Sequence, residues 1–225
     1  DQRADYVPDD ARVYYEVETR LGEPERAPVL FEKAGPREKI FFEPGATKVG
    51  IVTCGGLCPG INTVVRSMVY ELHHKYRVSQ VLGFRYGYAG LDPASQLEPA
   101  TLTPHEVRDI HRHGGSFLGL SRGMHDVKVM VNTLVAHGVD VLFAIGGDGT
   151  LRGAHAIASE VQARGLEIAV VGVPKTIDND IEYIDKTFGY ETSVEIARQA
   201  VDAAHTEAVG AYNGVGIVKL MGRDA

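Results

Sequence analysis

Cysteine is almost missing from this sequence: only Cys54 and Cys58 occur in 225 residues, four apart at the end of an apolar run. A zinc site asks for about four ligands, and no second Cys or Cys/His cluster follows at ligand spacing. A zinc site or disulfide framework is therefore not expected, and the two residues read as reduced thiols. Long hydrophobic runs are missing too. No stretch approaches the roughly 20 apolar residues of a membrane span, and Asp1-Gln2-Arg3-Ala4-Asp5 lacks the apolar centre of a signal peptide. The expectation is a soluble, cytoplasmic protein without a membrane partner. Basic charge is in deficit, 23 Lys and Arg against 30 Asp and Glu for a net charge of -7. That argues against nucleic acid as a partner, which calls for a basic stripe. Cations should instead appear singly, in a site.

Glycine is abundant, 26 residues, with its richest cluster between Gly45 and Gly60. Such a position suggests tight turns. Residues 1–46 are polar, with Pro8, Pro24, Pro28, Pro36 and Pro44 spaced against any long helix, and read as an irregular arm. From Lys48 a short β-rich run begins and ends in Gly55-Gly56. Asn62 is placed to cap a helix whose Val65, Met68, Val69 and Leu72 recur at i, i+3, i+4 and i+7. A second strand follows at 81–84, a helix closes over 132–137, and a third strand covers 139–145. A helix over about 150–164, a strand at 168–173, a helix over about 193–209 and a strand at 215–220 complete the alternation. In the longest helix Thr192 and Glu195 have capping-box spacing. Its Val194, Ala197, Val201, Ala204 and Ala208 form an apolar stripe expected in the core. No internal repeat is found. Alternating strands and helices, with strands apolar on both sides, predict a three-layer α-β-α domain over 48–225 with a mostly parallel sheet, preceded by the arm 1–47.

In such sheets ligands bind beyond the carboxyl ends of the strands, and the segments there are unusual. The first strand runs into Thr53-Cys54-Gly55-Gly56-Leu57-Cys58-Pro59-Gly60, where backbone N–H groups can approach an anion beside a helix N-terminus. A structural glycine turn would look the same. The third strand enters Gly146-Gly147-Asp148-Gly149-Thr150. A carboxylate there would repel phosphates unless a divalent cation lay between, which makes Asp148 a candidate magnesium ligand; a helix-capping aspartate is the plainer reading. The fourth strand ends in Pro174-Lys175-Thr176-Ile177-Asp178-Asn179-Asp180, bringing a cation, a hydroxyl and two carboxylates into one loop. A phosphoryl-accepting alcohol needs a carboxylate to take its proton and a lysine to stabilise transferring charge. Turns also use Asp and Asn, but three such loops at one sheet edge are harder to read as turns. Ser121-Arg122-Gly123 follows Gly114-Gly115-Ser116-Phe117-Leu118-Gly119 and puts a guanidinium where it can bridge phosphate oxygens. Met221-Gly222-Arg223 ends the last predicted strand with another cation. Of the nine histidines, His73-His74 read as solvated and His111-x-His113 has no acidic or cysteine partner at ligand spacing, which leaves His125, near Arg122, as the one to keep.

Taken together these segments, in this order over about 170 residues, resemble the phosphofructokinase family. Ala34-Gly35-Pro36-Arg37-Glu38-Lys39-Ile40-Phe41-Phe42 is similar to the extended branch found in plants, kinetoplastids and some bacteria. The resemblance implies a phosphofructokinase-like, Rossmann-like fold that transfers the γ-phosphoryl of ATP to the 1-hydroxyl of fructose 6-phosphate in glycolysis. It implies Asp178 as general base, with Lys175, Thr176, Asp180 and Arg122 beside the transferring phosphoryl. Gly55, Gly56, Arg122, Gly123, Gly147, Asp148, Gly149 and Thr150 would contact the nucleotide, Asp148 holding Mg2+. Thr176, Ile177, Asp178, Met221, Gly222 and Arg223 would contact the sugar phosphate. The implied assembly is a homo-oligomer, dimer or tetramer, under allosteric control.

Donor identity turns on two positions. The pyrophosphate-using branch has aspartate where Gly149 stands, so glycine favours ATP. Lys175 matches pyrophosphate enzymes, but the extended ATP branch combines that lysine with this glycine. Short bacterial enzymes carry an intersubunit arginine where Gly214 stands, so substrate binding between subunits is expected to differ. The family also continues into a second, sugar-phosphate domain after the Met-Gly-Arg segment, which this chain is expected to lack. Pyrophosphate dependence, a non-catalytic regulatory subunit, and NAD or diacylglycerol kinases sharing Gly-Gly-Asp-Gly-Thr remain alternatives; the last lack the Pro-Lys-Thr-Ile-Asp-Asn-Asp run.

Overall fold

The computed structural model describes residues 5–16, 18, 27–123 and 125–222. Two compact units are present, Asp1–Glu43 and Pro44–Ala225. The first is less irregular than its prolines suggested. Strands β1 (Arg12–Tyr14) and β2 (Leu30–Glu32) pair antiparallel. Arg37 ties this unit together, its guanidinium donating to Glu32 Oε1 at 2.7 Å and to the Val7 carbonyl at 3.2 Å.

The second unit is built on a five-stranded sheet of order β5-β4-β3-β6-β7: β3 (Lys48–Thr53), β4 (Gln80–Phe84), β5 (Ala100–Thr101), β6 (Val141–Gly146) and β7 (Ala169–Pro174). All neighbours run parallel except β5, which pairs antiparallel with β4. Side chains alternate across a strand, and both faces of the sheet are apolar. Val49 and Ile51 of β3 and Ile145 of β6 pack with Val65 and Val69 of helix α1 (Ile61–Tyr70). On the other face Val52, Leu82, Phe84, Leu142 and Ala144 meet Met130, Val131 and Leu134 of α2 (Val127–His137) and Ala154, Ile157 and Val161 of α3 (Asp148–Ala163). The predicted three layers, with a mostly parallel sheet, are present.

The register sets up the site. Thr53 stands opposite Ile145, Ile145 opposite Val173, and Gly146 opposite Pro174, so three parallel strands end at one level. Their following loops leave the same sheet edge. Asp126 caps α2, accepting from the N–H groups of Lys128 and Val129 at 2.8 and 3.3 Å, and Gly138 closes it in the left-handed region.

Four local expectations are corrected. Asn62 does not cap α1: Gly60 occupies that position, and Asn62 is buried inside the first turn. There its amide donates to the His113 carbonyl at 2.9 Å and accepts from the Phe117 N–H at 2.7 Å, a bracket holding the glycine-rich segment. Thr192 does not cap the longest helix either. That helix, α4 (Tyr190–Gly210), starts three residues before the expected position 193, behind Gly189. Its apolar stripe is not core, since none of its residues is buried and Val194 and Val201 are 52% and 45% exposed. Residues 215–220 form no strand or helix, and Val215 and Ile217 are exposed. Gly216 passes close to the Ala204 backbone of α4, so the sheet ends at β7.

Candidate active site

A cleft of ≈ 660 Å³ opens where β3, β6 and β7 end, a size that suits a small ligand. Each strand supplies one wall. From β3 come Cys54, Gly55, Gly56 and Leu57; from the head of α3 come Gly147, Asp148, Gly149, Thr150 and Arg152; from beyond β7 come Lys175, Thr176, Ile177 and Asp178. Ser121, Arg122 and Gly123 form a fourth wall, and Met221 and Gly222 reach the same cleft. Both candidate carboxylates, Asp148 and Asp178, therefore share one cleft with two of the predicted cations.

The walls are tied to one another. The Cys54 N–H donates to the Ile145 carbonyl and the Gly55 N–H to the Ser121 carbonyl, each at 2.9 Å. The Lys175 ammonium, only 4% exposed, donates to the Gly56 carbonyl at 2.7 Å across 119 residues of sequence. One of its three donors is thus used, and two stay available to a ligand. Burial pushes the Lys175 pKa down, with the Arg122 charge adding to it and Cys58 and Cys54 opposing. The Cys54 thiol is held protonated, pushed up to about 11 chiefly by burial. Gly56 is closely approached: a Cβ there would sit 3.2 Å from Arg122 Nη2. The guanidinium therefore lies directly over the β3 loop.

The β7 loop is built around Thr176. Its hydroxyl donates to Asp180 Oδ1 at 2.6 Å and accepts from the Asp178 N–H at 3.1 Å, fixing the backbone that carries Asp178. Behind it the Thr187 hydroxyl donates to the Thr176 carbonyl at 2.8 Å, and Asn179 accepts from the Thr187 N–H at 2.8 Å. Asp180, expected among the reacting groups, is not part of the cleft wall; it is exposed and orients Thr176 from behind. Arg223 lies outside the described residues, so its expected sugar-phosphate contact is not placed.

The sequence reading missed Tyr88 and Arg152. Tyr88 reaches from the segment Gly87–Leu91 and donates to the Thr150 carbonyl at 2.6 Å, pinning the first turn of α3. Gly153 makes room for its ring, since a Cβ there would lie 2.6 Å from it. A lone aromatic after a strand carries no motif. Arg152 sits one helical turn after Asp148, a spacing that was legible. His125 is engaged elsewhere, its Nδ1 3.1 Å from Asp92 Oδ2.

A divalent cation fits this donor set in one way only. Among the described residues no group of three or more His, Cys, Asp or Glu converges to cage a metal. Asp148 offers oxygen ligands at a cleft edge, and magnesium bound by one or two carboxylates completes its shell with water and substrate phosphates. No helix of the described residues is long and apolar enough to cross a membrane.

Comparison with known proteins agrees with the architecture. The chain is 55% identical over 194 residues to an ATP-dependent 6-phosphofructokinase of Entamoeba histolytica, covering 86% of this chain and 44% of that protein. It is 51% identical over 195 residues to ATP-dependent 6-phosphofructokinase 4, chloroplastic, of Arabidopsis thaliana, covering 87% of this chain and 36% of that protein. The chain thus spans less than half the length of these relatives. Among solved structures, phosphofructokinase from Saccharomyces cerevisiae superposes with a TM-score of 0.62 at 28% identity, over 73% of this chain and 24% of that one. The signature described as phosphofructokinase matches residues 48–225, and the chain belongs to the phosphofructokinase family.

Proposed function

We propose that the whole protein is an ATP-dependent 6-phosphofructokinase, moving the γ-phosphoryl of ATP to the 1-hydroxyl of fructose 6-phosphate. The observation that carries this reading is the meeting of Asp148, Asp178, Lys175 and Arg122 in one cleft at the ends of three parallel strands. Phosphoryl transfer needs little covalent help; positioning and charge stabilisation do most of the work. Magnesium bound at Asp148 would supply charge neutralisation at the phosphates. Asp178 accepts the proton of the attacking hydroxyl, and Thr176, oriented by Asp180, keeps its backbone in place. Arg122 and the free donors of Lys175 hold phosphate oxygens. Gly55, Gly56, Gly123, Gly147 and Gly149 let backbone and phosphate approach, and Thr150 sits beside them at the head of α3. On the acceptor side Ile177, Met221 and Gly222 of the cleft wall hold the sugar phosphate, the family resemblance adds Arg223 to them, and further contacts come from the remainder of the whole protein.

ATP rather than pyrophosphate is favoured by Gly149. No atom lies within 4 Å of where its Cβ would be, so the space next to the phosphate site is open to the rest of a nucleotide. Cytoplasmic location and homo-oligomeric assembly go with this reading. A coupled assay on the full-length protein, offering ATP and pyrophosphate separately with fructose 6-phosphate, tests it. Turnover with ATP is expected. Turnover with pyrophosphate alone, or with neither donor, would overturn it.

A further inference from the structure

Resting on the donor reading above, we infer that Arg152 is a specificity-determining residue for the phosphoryl donor: its guanidinium binds the third phosphate, which a nucleoside triphosphate has and pyrophosphate lacks. Arg152 is exposed and lines the same cleft as Asp148 and Gly149. On α3 it follows Asp148 by four residues and Gly149 by three, so all three share one helix face, about 6 Å of rise separating Asp148 from Arg152. Long helical side chains lean toward the N-terminus. A side chain of that length on this face is long enough to reach the open space at Gly149, where nothing lies within 4 Å of a Cβ position.

Arg164 of the same helix donates to Glu160 and Asn132, and Arg37, Arg108, Arg112 and Arg198 are all ion-paired. Arg152 enters no hydrogen bond or ion pair among the described residues, although Asp148 stands at the favourable spacing. Arg77 and Arg85 also make no side-chain hydrogen bond or ion pair among the described residues, but of the arginines without one only Arg122 and Arg152 line the cleft. A planar fork of five donors left unspent in a cleft with Asp148 suits a phosphate group. The other two cations gather at the β3 loop, Arg122 over Gly56 and Lys175 tied to the Gly56 carbonyl. Two phosphates held there and at Asp148 do not need Arg152. A third phosphate, continuing along α3 past Gly149, meets it.

The test uses full-length Arg152→Ala and Arg152→Lys. For Arg152→Ala the KM for ATP should rise about 10- to 100-fold, the loss expected for one charge-assisted contact. The kcat and the KM for fructose 6-phosphate should stay within about twofold, and Arg152→Lys should recover much of the loss. Calorimetric titration with ATP, and with inorganic tripolyphosphate, should show the same weakening, whereas pyrophosphate binding should be unchanged. An unchanged ATP affinity in Arg152→Ala, or equal weakening of pyrophosphate, would overturn the inference while leaving the donor reading intact. If the parent protein turns over no ATP, that reading fails first; titration still decides whether Arg152 holds a third phosphate, and a parent that binds no ATP sinks both.

Discussion

Two regions of this molecule look alike in sequence strength and differ in outcome. The loops after β3, β6 and β7 are irregular, yet they are held by bonds that cross the chain: Lys175 to the Gly56 carbonyl, Gly55 to Ser121, Tyr88 to Thr150. Helix α4 is the longest regular element, with a clear apolar stripe, yet no residue of it is buried. Regularity comes from local preference, whereas burial comes from a partner. The loops have one in each other because the parallel register ends three strands at one level; the stripe of α4 meets Gly214 and Gly216 at Ala208 and Ala204, and Val194 and Val201 stay exposed.

The largest expected effect lies in the loops. Asp178→Ser in the full-length protein should lower turnover by about 10²–10⁴, the usual worth of a general base, while ATP affinity by calorimetry stays near that of the parent. Equal loss of both would mean that the β7 loop binds donor rather than performing proton transfer.

Next in size is a core position on a helix that does have a partner. Ile157 of α3 is fully buried against the sheet, and Ile157→Ala should cost about 2–5 kcal/mol through lost burial and the cavity left behind. Chemical denaturation of the 225-residue chain measures it. A cost below about 1 kcal/mol would erase the contrast between α3 and α4.

A pH effect sharpens the same contrast. Burial raises the Cys54 thiol from 9.0 to about 11. Below pH 9 the thiol is protonated in both states and contributes nothing. Between pH 9 and about 11 the unfolded chain loses that proton and the folded one keeps it, so stability falls as pH rises. Cys54→Ala should show a shallower alkaline loss in denaturation curves; identical slopes would mean that water reaches the end of β3.

What was legible in the sequence follows the same line. Gly146-Gly147-Asp148-Gly149-Thr150 and Pro174-Lys175-Thr176-Ile177-Asp178 could be assigned to one cleft because each follows an apolar strand, and strand ends in parallel sheets gather loops. Asn62 was misread because a cap and a buried bracket to a distant loop use the same amide; only the partner, His113 and Phe117, tells them apart. Residues 215–220 have strand composition and β7 leaves a free sheet edge, but the segment lies against α4, where Gly216 passes close to the Ala204 backbone, and composition alone does not say which neighbour it takes. Asp180 shares the loop with Asp178, and nothing in the spacing says which carboxylate turns inward. Tyr88 carries no motif of its own and becomes visible only once the Gly87–Leu91 segment is placed, whereas Arg152 was legible through its spacing from Asp148 on one helix.

The smallest effect is the most discriminating for α4. Val201→Ser exchanges residues of similar helix propensity at a position 45% exposed. In the 225-residue chain the change in stability should stay within about 0.5 kcal/mol, as for surface substitutions generally. The same exchange in the full-length protein measures whether anything covers the stripe there: a cost of about 1 kcal/mol or more confined to the longer protein would locate the missing partner outside residues 1–225. Should that cost arise already in the shorter chain, the helix would be packed after all, and the contrast with the strand-end loops would be lost.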